Sequence, residues 1–200
     1  GTVNLLEAVR LSEINPVIHI CSSSEVYGQV SEDEVPITES CPFRPASPYA
    51  VSKVGEDMVA FQYWVSYKIK TIRTRMFTHT GPRRGDVFAM SFFGKQIAAA
   101  ELGLKEPIIH VGNLKSIRTF CDVRDAVKAY WLLVNKCKPG EVYNIGGDAT
   151  LTIGEALEKM LSFSRKKCEV KVDPNLLRPS DVTLQIPSTE KFSKETGWKP

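Results

Sequence analysis

No apolar run in this 200-residue chain approaches the length that crosses a bilayer, which argues against a membrane-spanning helix, and no signal peptide is read ahead of the first helix. An excess of one charge is also missing. Twenty-six basic residues against 23 acidic leave only +3, with no like-charged block, so neither nucleic acid nor an acidic membrane surface is indicated as a partner. Cysteine is sparse and odd in number: Cys21, Cys41, Cys121, Cys137 and Cys168 form no close pair. With three scattered histidines they provide neither a disulfide framework nor a metal-ligand spacing. No metal is expected, and a reduced, cytoplasmic compartment is. Most telling is what the 13 glycines fail to spell. There is no Gly-x-Gly-x-x-Gly turn and no acidic residue at the ribose-binding distance after one, and the pair Gly146-Gly147 alone cannot cradle a pyrophosphate.

What is present is an ordinary globular composition, 42% apolar, in a chain long enough for one domain or the larger part of one. The first ten residues, Gly1 to Arg10, read as the middle of an amphipathic helix and the end stops just past another, so both ends look cut. The first helix ends before Asn15-Pro16, since the residue before proline leaves the α region. Val17 to Cys21 is an unbroken apolar run, as in a strand covered on both faces, and His19 inside it reads as a satisfied core histidine. Residues 29–46 are acidic and proline-containing and read as a surface excursion. Ser47-Pro48 opens a helix through Val54, Met58, Phe61 and Val65, with serine as cap and proline in the first turn. Lys70 to Phe77 reads as the next strand. Helix is expected over 88–102, strand over 107–111, an apolar helical stripe from Val123 to Val134, and strand over 142–145. Thr152 and Glu155 make a capping box, and a last helix over 188–196 stops at Gly197. This alternation predicts an α/β fold with a largely parallel sheet.

The candidate chemistry lies in two strings, Ser22-Ser23-Ser24-Glu25-Val26-Tyr27-Gly28 after the first strand and Tyr49-Ala50-Val51-Ser52-Lys53 on the helix that follows. Ligands of open α/β sheets bind at the carboxyl ends of strands, which is where Ser23 and Glu25 fall, and Tyr49 and Lys53 share one helix face. A phenol is a poor base at neutral pH, its ordinary pKa being ~10, but a neighbouring ammonium stabilises the phenolate. Such a pair can take a proton from a substrate hydroxyl while a nicotinamide accepts hydride from the same carbon, with a serine holding the hydroxyl. A carboxylate at Glu25 can then remove the acidified proton next to the new ketone and expel water. Singly, each residue fits a structural role better; all four in this order favour chemistry.

These strings, with Arg75-Met76-Phe77-Thr78-His79-Thr80-Gly81-Pro82, resemble the extended short-chain dehydrogenase/reductase superfamily. Within it the chain is similar to GDP-mannose 4,6-dehydratases and GDP-4-keto-6-deoxymannose reductases. The resemblance implies a Rossmann-like doubly wound parallel sheet without its glycine-rich portion, and a smaller substrate-binding region. Residues 1–80 would be the C-terminal part of the dinucleotide-binding domain, and 81–200 the substrate-binding region with returning Rossmann elements. Ser23, Tyr49 and Lys53 would be the catalytic triad and Glu25 the dehydratase base. Tyr49, Lys53 and Phe77 would meet the nicotinamide side of NADP, or alternatively NAD. Thr78, Arg84, Arg118, Arg178 and Asp181 would hold a GDP-sugar, guanidinium groups suiting diphosphate oxygens. Thr78 stands where the family usually has asparagine, and Asp181 where it has glutamate; Phe120 to Asp125 is closer to the reductases and epimerases. The implied reaction is GDP-mannose to GDP-4-keto-6-deoxymannose by internal redox and water elimination. The alternatives are reduction of that product, epimerisation, or non-catalytic nucleotide-sugar binding. The resemblance also implies a homodimer paired through the helix of Tyr49 and Lys53, whose Phe61, Tyr63, Trp64 and Tyr67 offer more aromatic surface than one buried stripe needs.

Overall fold

A computed structural model of the chain describes residues 1–177 and 181–200. In chain order its elements begin α1 (Thr2–Leu11), β1 (Ile18–Cys21), α2 (Pro48–Tyr67), β2 (Thr71–Met76), β3 (His79–Thr80), α3 (Ala89–Glu101) and β4 (Ile108–Val111). They continue β5 (Ile117–Asp122), α4 (Val123–Lys136), β6 (Val142–Ile145), β7 (Ala149–Thr152), α5 (Ile153–Ser162), β8 (Glu169–Val172), β9 (Leu184–Gln185) and α6 (Glu190–Thr196). The fold is α/β and Rossmann-like. Strands β1, β2 and β6 form a parallel sheet with β2 central. β3 and β9 pair parallel with β5, β7 pairs antiparallel with it, and β4 and β8 form a parallel pair.

Strand β2 explains the centre of the molecule. All six of its residues are buried, and its alternation sends Ile72 and Met76 into a core with α4, Tyr143 and Phe192. The opposite face carries Thr71, Arg73 and Arg75, which bond to α2: Thr71 Oγ1 donates to the Ala60 carbonyl at 2.8 Å. Both guanidinium groups bond to Asp57, Arg73 Nη1 at 3.1 Å and Arg75 Nε at 2.9 Å. Buried charges persist only when paired and hydrogen-bonded, so this ion cluster decides which side of α2 faces inward. The buried positions of α2 are Ala50, Asp57, Ala60 and Tyr63, whereas Val51, Met58, Phe61 and Val65 are exposed. Of the apolar residues that mark this helix in the sequence, Met58, Phe61 and Val65 therefore lie on its outer face, and Val54 packs on the cluster of Tyr27 and Phe77.

The cap at Ser47 forms as expected, its hydroxyl accepting from the Ala50 N–H, and the capping box of Thr152 and Glu155 is complete. His19 is satisfied, bonded at 2.7 Å to Thr74 Oγ1, but half-buried rather than in the core. Residues 29–46 are more than a surface excursion. Val30 and Ile37 are buried with Tyr27 and Phe77, and the Ile37 N–H donates to the Ile186 carbonyl. The acidic composition hides two anchors that only a tertiary partner reveals. The aromatic residues of α2 are likewise used within the chain: Tyr63 donates to Glu7 at 2.6 Å, Phe61 covers Arg73 and Arg10 stacks on Tyr67.

Candidate active site

Strand β1 ends at Cys21, and the chain then turns through Ser22 and Ser23 into a single 3-10 turn, Ser24–Tyr27. Ser23 caps that turn by accepting the Glu25 N–H at 3.2 Å. Gly28 closes it at φ +61°, where a Cβ would lie 1.8 Å from the Arg44 carbonyl oxygen, so only glycine fits. Helix α2 crosses this end of β1 and is fastened there by two bonds. Lys53 Nζ donates to the Cys21 carbonyl at 2.7 Å, and Ser22 Oγ donates to the Lys53 carbonyl at 3.3 Å. Lys53 also pairs with Glu56 at 2.7 Å and lies 6.0 Å from the Tyr49 ring centroid. The Tyr49 ring is 54% exposed. Ser23, Glu25, Tyr49 and Lys53 thus sit on two adjoining elements at the carboxyl end of the central sheet, with the phenol open to an incoming ligand.

Behind the turn, Tyr27 ties it to β2. Its hydroxyl donates to Asn144 Oδ1 at 2.7 Å and accepts from Arg75 Nη1 at 3.0 Å. Burial pushes the Tyr27 phenol up to about 12, with Arg75 opposing, so it is a structural hydroxyl at neutral pH. Burial also raises the Cys21 thiol above its ordinary range.

The remaining candidates are spread along the rim. The Phe77 side chain is fully buried against Tyr27, so it backs the site from inside. Thr78 follows it, its carbonyl accepting from the Cys121 N–H. Arg84 lies 4.0 Å over the Phe88 ring, and burial lowers its pKa. Arg118 Nη2 donates to the Val182 carbonyl. Asp181 accepts from Asn113 Nδ2 at 2.8 Å and Ser116 Oγ at 3.1 Å, which anchors the segment leading into β9. Arg178 lies outside the described residues.

Three residues joined to the site lie outside the sequence motifs: Glu56, Asp57 and Gln185. Asp57 could have been sought, because two arginines alternating in a buried strand demand an anion. Gln185 carries no such signal. Gly146-Gly147 is shaped by packing: a Cβ on Gly147 would lie 1.6 Å from the Phe120 carbonyl oxygen, and one on Gly146 would lie 2.6 Å from Pro187. Neither is free to cradle a phosphate.

The sequence model described as GDP-mannose 4,6 dehydratase matches residues 1–200. The chain belongs to the GDP-mannose 4,6-dehydratase family. Among relatives of this family member, GDP-6-deoxy-D-mannose reductase of Pseudomonas aeruginosa is 32% identical over the whole chain and 66% of its own length. GDP-mannose 4,6-dehydratase of Sinorhizobium fredii is 28% identical, over 62% of its length. The structure of RMD from Pseudomonas aeruginosa complexed with NADPH superposes with a TM-score of 0.93 at 31% identity, over 100% of this chain and 66% of that one. The dTDP-glucose 4,6-dehydratase of Bacillus anthracis in complex with NAD gives 0.83 at 29%, over 100% and 61%. The chain spans about two thirds or less of the length of these proteins. The likeness places it among the extended short-chain dehydrogenase/reductases, in nucleotide-sugar metabolism.

Proposed function

We propose that the protein is a nucleotide-sugar dehydratase that converts GDP-mannose to GDP-4-keto-6-deoxymannose with NADP. The observation that carries this reading is the Glu25 carboxylate on the same turn as Ser23, a turn that packs against the helix of Tyr49 and Lys53. Hydride exchange alone needs a hydroxyl-binding serine and a tyrosine–lysine pair. A carboxylate beside them adds a base for the carbon next to the ketone. NADP, when bound, supplies the acceptor and later the donor of hydride. Tyr49 takes and returns the proton of the sugar hydroxyl, and Lys53 stabilises its phenolate and holds the cofactor ribose. Ser23 orients the hydroxyl, and Phe77 backs the nicotinamide side. Glu25 removes the carbon-bound proton and, now protonated, passes it to the hydroxyl on the neighbouring carbon, which leaves as water as the carbon–carbon double bond forms. Thr78, Arg84, Arg118, Arg178 and Asp181 form the GDP-sugar side, with residues 81–200 as the substrate-binding region.

A second reading, reduction of the 4-keto product, is favoured by the 32% identity to a reductase. In that reaction Glu25 has no elimination to perform. Incubation with GDP-mannose and a trace of NADP separates the two: the dehydratase forms a 4-keto-6-deoxy sugar nucleotide without net cofactor turnover. A protein that leaves GDP-mannose untouched but oxidises NADPH with GDP-4-keto-6-deoxymannose is the reductase. Binding of either nucleotide sugar without turnover in both assays makes it a binder.

The expected homodimer is supported by the outer face of α2. Val51, Met58 and Val65 recur every seven residues, the spacing of a helix–helix seam, and are at least 44% exposed, with Phe61 between them at 39%.

A further inference from the structure

We propose that Gln185 is a positioning residue for the Glu25 carboxylate, so that the strand leaving the substrate side of the molecule aims the base of the reaction. The inference rests on the reading of Glu25 as that base. Gln185, in β9, is only 2% exposed, and its amide lies between two residues of the catalytic turn. Ser24 Oγ donates to Gln185 Oε1 at 2.9 Å, and Gln185 Nε2 donates to Glu25 Oε1 at 3.4 Å. An ionised carboxylate only accepts hydrogen bonds. Turning the amide over would set its oxygen against the Glu25 carboxylate, so the carboxylate selects the orientation in which Gln185 gives it a donor, and the Ser24 hydroxyl donates to the amide oxygen on the other side. The contact is long, which suits a carboxylate that must be held in direction yet remain free to move onto a substrate proton.

The same strand is stitched to the turn again further along. Gln29 Oε1 accepts from the Thr183 N–H at 2.7 Å, and Gln29 Nε2 donates to Thr183 Oγ1 at 3.0 Å. Upstream, Asp181 is anchored on Asn113 and Ser116, and the Ile117 N–H donates to the Thr183 carbonyl at 2.7 Å. Residues 181–185 therefore form a strap from the proposed GDP-sugar side to the base. A buried amide at its end fixes the carboxylate relative to the strand that would meet the nucleotide.

Two measurements test this. In 15N-labelled protein the Gln185 side-chain amide protons, assigned by their loss in Gln185→Met, should exchange slowly and shift when Glu25 is changed to Ala. Amide signals indifferent to Glu25→Ala overturn the proposal, whatever the protein catalyses. In turnover of GDP-mannose, Gln185→Met should lower kcat for water elimination about tenfold, the rate equivalent of one hydrogen bond, with KM within about twofold. Ser24→Ala, which keeps Gln185 but frees its amide, should lower kcat less and in the same sense. It carries the test if Gln185→Met does not fold. Unchanged kcat in these variants, or a raised KM at unchanged kcat, overturns the positioning role. A wild-type protein inactive on GDP-mannose removes the dehydratase reading instead, and the amide measurement then decides Gln185 alone.

Discussion

Replacing Asp57 by alanine should cost more stability than any other single change on α2. The carboxylate is wholly buried and accepts three bonds, at 3.1 Å from Arg73 Nη1 and at 2.9 and 3.4 Å from Arg75 Nε and Nη2. Burial lowers the Arg73 pKa. In Arg75 the opposing contributions of Asp57 and Tyr27 outweigh burial and raise it. The two guanidiniums thus share one anion unequally, and both depend on it. Without Asp57, Arg73 keeps the Gly140 carbonyl and the charge of Glu141, and Arg75 keeps the Tyr27 hydroxyl and the Glu39 carbonyl, but neither keeps a hydrogen-bonded carboxylate. Breaking a buried pair from one side costs about 3–5 kcal/mol. For a chain of this size that is a fall in Tm of roughly 6–20 °C, at about 2–4 °C per kcal/mol. Urea unfolding followed by circular dichroism measures it. The triple variant Asp57→Leu, Arg73→Met, Arg75→Met should recover much of the loss, because no charge is then left buried. A loss below about 1 kcal/mol in Asp57→Ala would refute the claim that this cluster sets the inner face of α2.

Burial depresses the His19 imidazole from ~6.5 to about 4. A group whose folded pKa is lowered contributes stability that is whole above the unfolded value and lost as pH falls through the folded one. Unfolding free energy should therefore drop by about 3 kcal/mol between pH 7 and pH 4 on this account, and His19→Gln should flatten that part of the acid limb; parallel curves for the two proteins would contradict it. Gly147→Ala should destabilise by about 3 kcal/mol or more, because its Cβ meets backbone. Gly55→Ala, on the open side of α2 with nothing within 4 Å, should stabilise by up to about 1 kcal/mol. Equal effects at the two sites in thermal unfolding would overturn the packing argument. If the outer seam of α2 joins two copies, light scattering at micromolar concentration should give a dimer that Met58→Glu converts to a monomer. A wild-type monomer would remove that proposal.

Much of the scaffold was readable beforehand because its signals are local. The caps at Ser47 and Thr152, the strand over 142–145 and the stop at Gly197 depend on residues within one turn of each other. The two strings carrying Ser23, Glu25, Tyr49 and Lys53 were legible for a related reason: a strand end followed by a helix brings them together with little freedom. Readings that needed a partner from far along the chain failed. The inner face of α2 was not legible, because apolar periodicity does not register a buried ion cluster. Val30 and Ile37 disappeared into an acidic segment whose contacts lie near residue 186.

The amino-acid sequence by itself determined the α/β class, the order of the two candidate strings, the family, and the want of a glycine turn for a pyrophosphate. Those properties reside in residue type and short spacing. Only the tertiary structure decided which face of α2 is inside, where the arginines of β2 find their anion, and what holds Glu25. Asp57 and Gln185 are ordinary polar residues in the sequence. They become specific when burial removes water and leaves each a small set of partners, one of them 160 residues away.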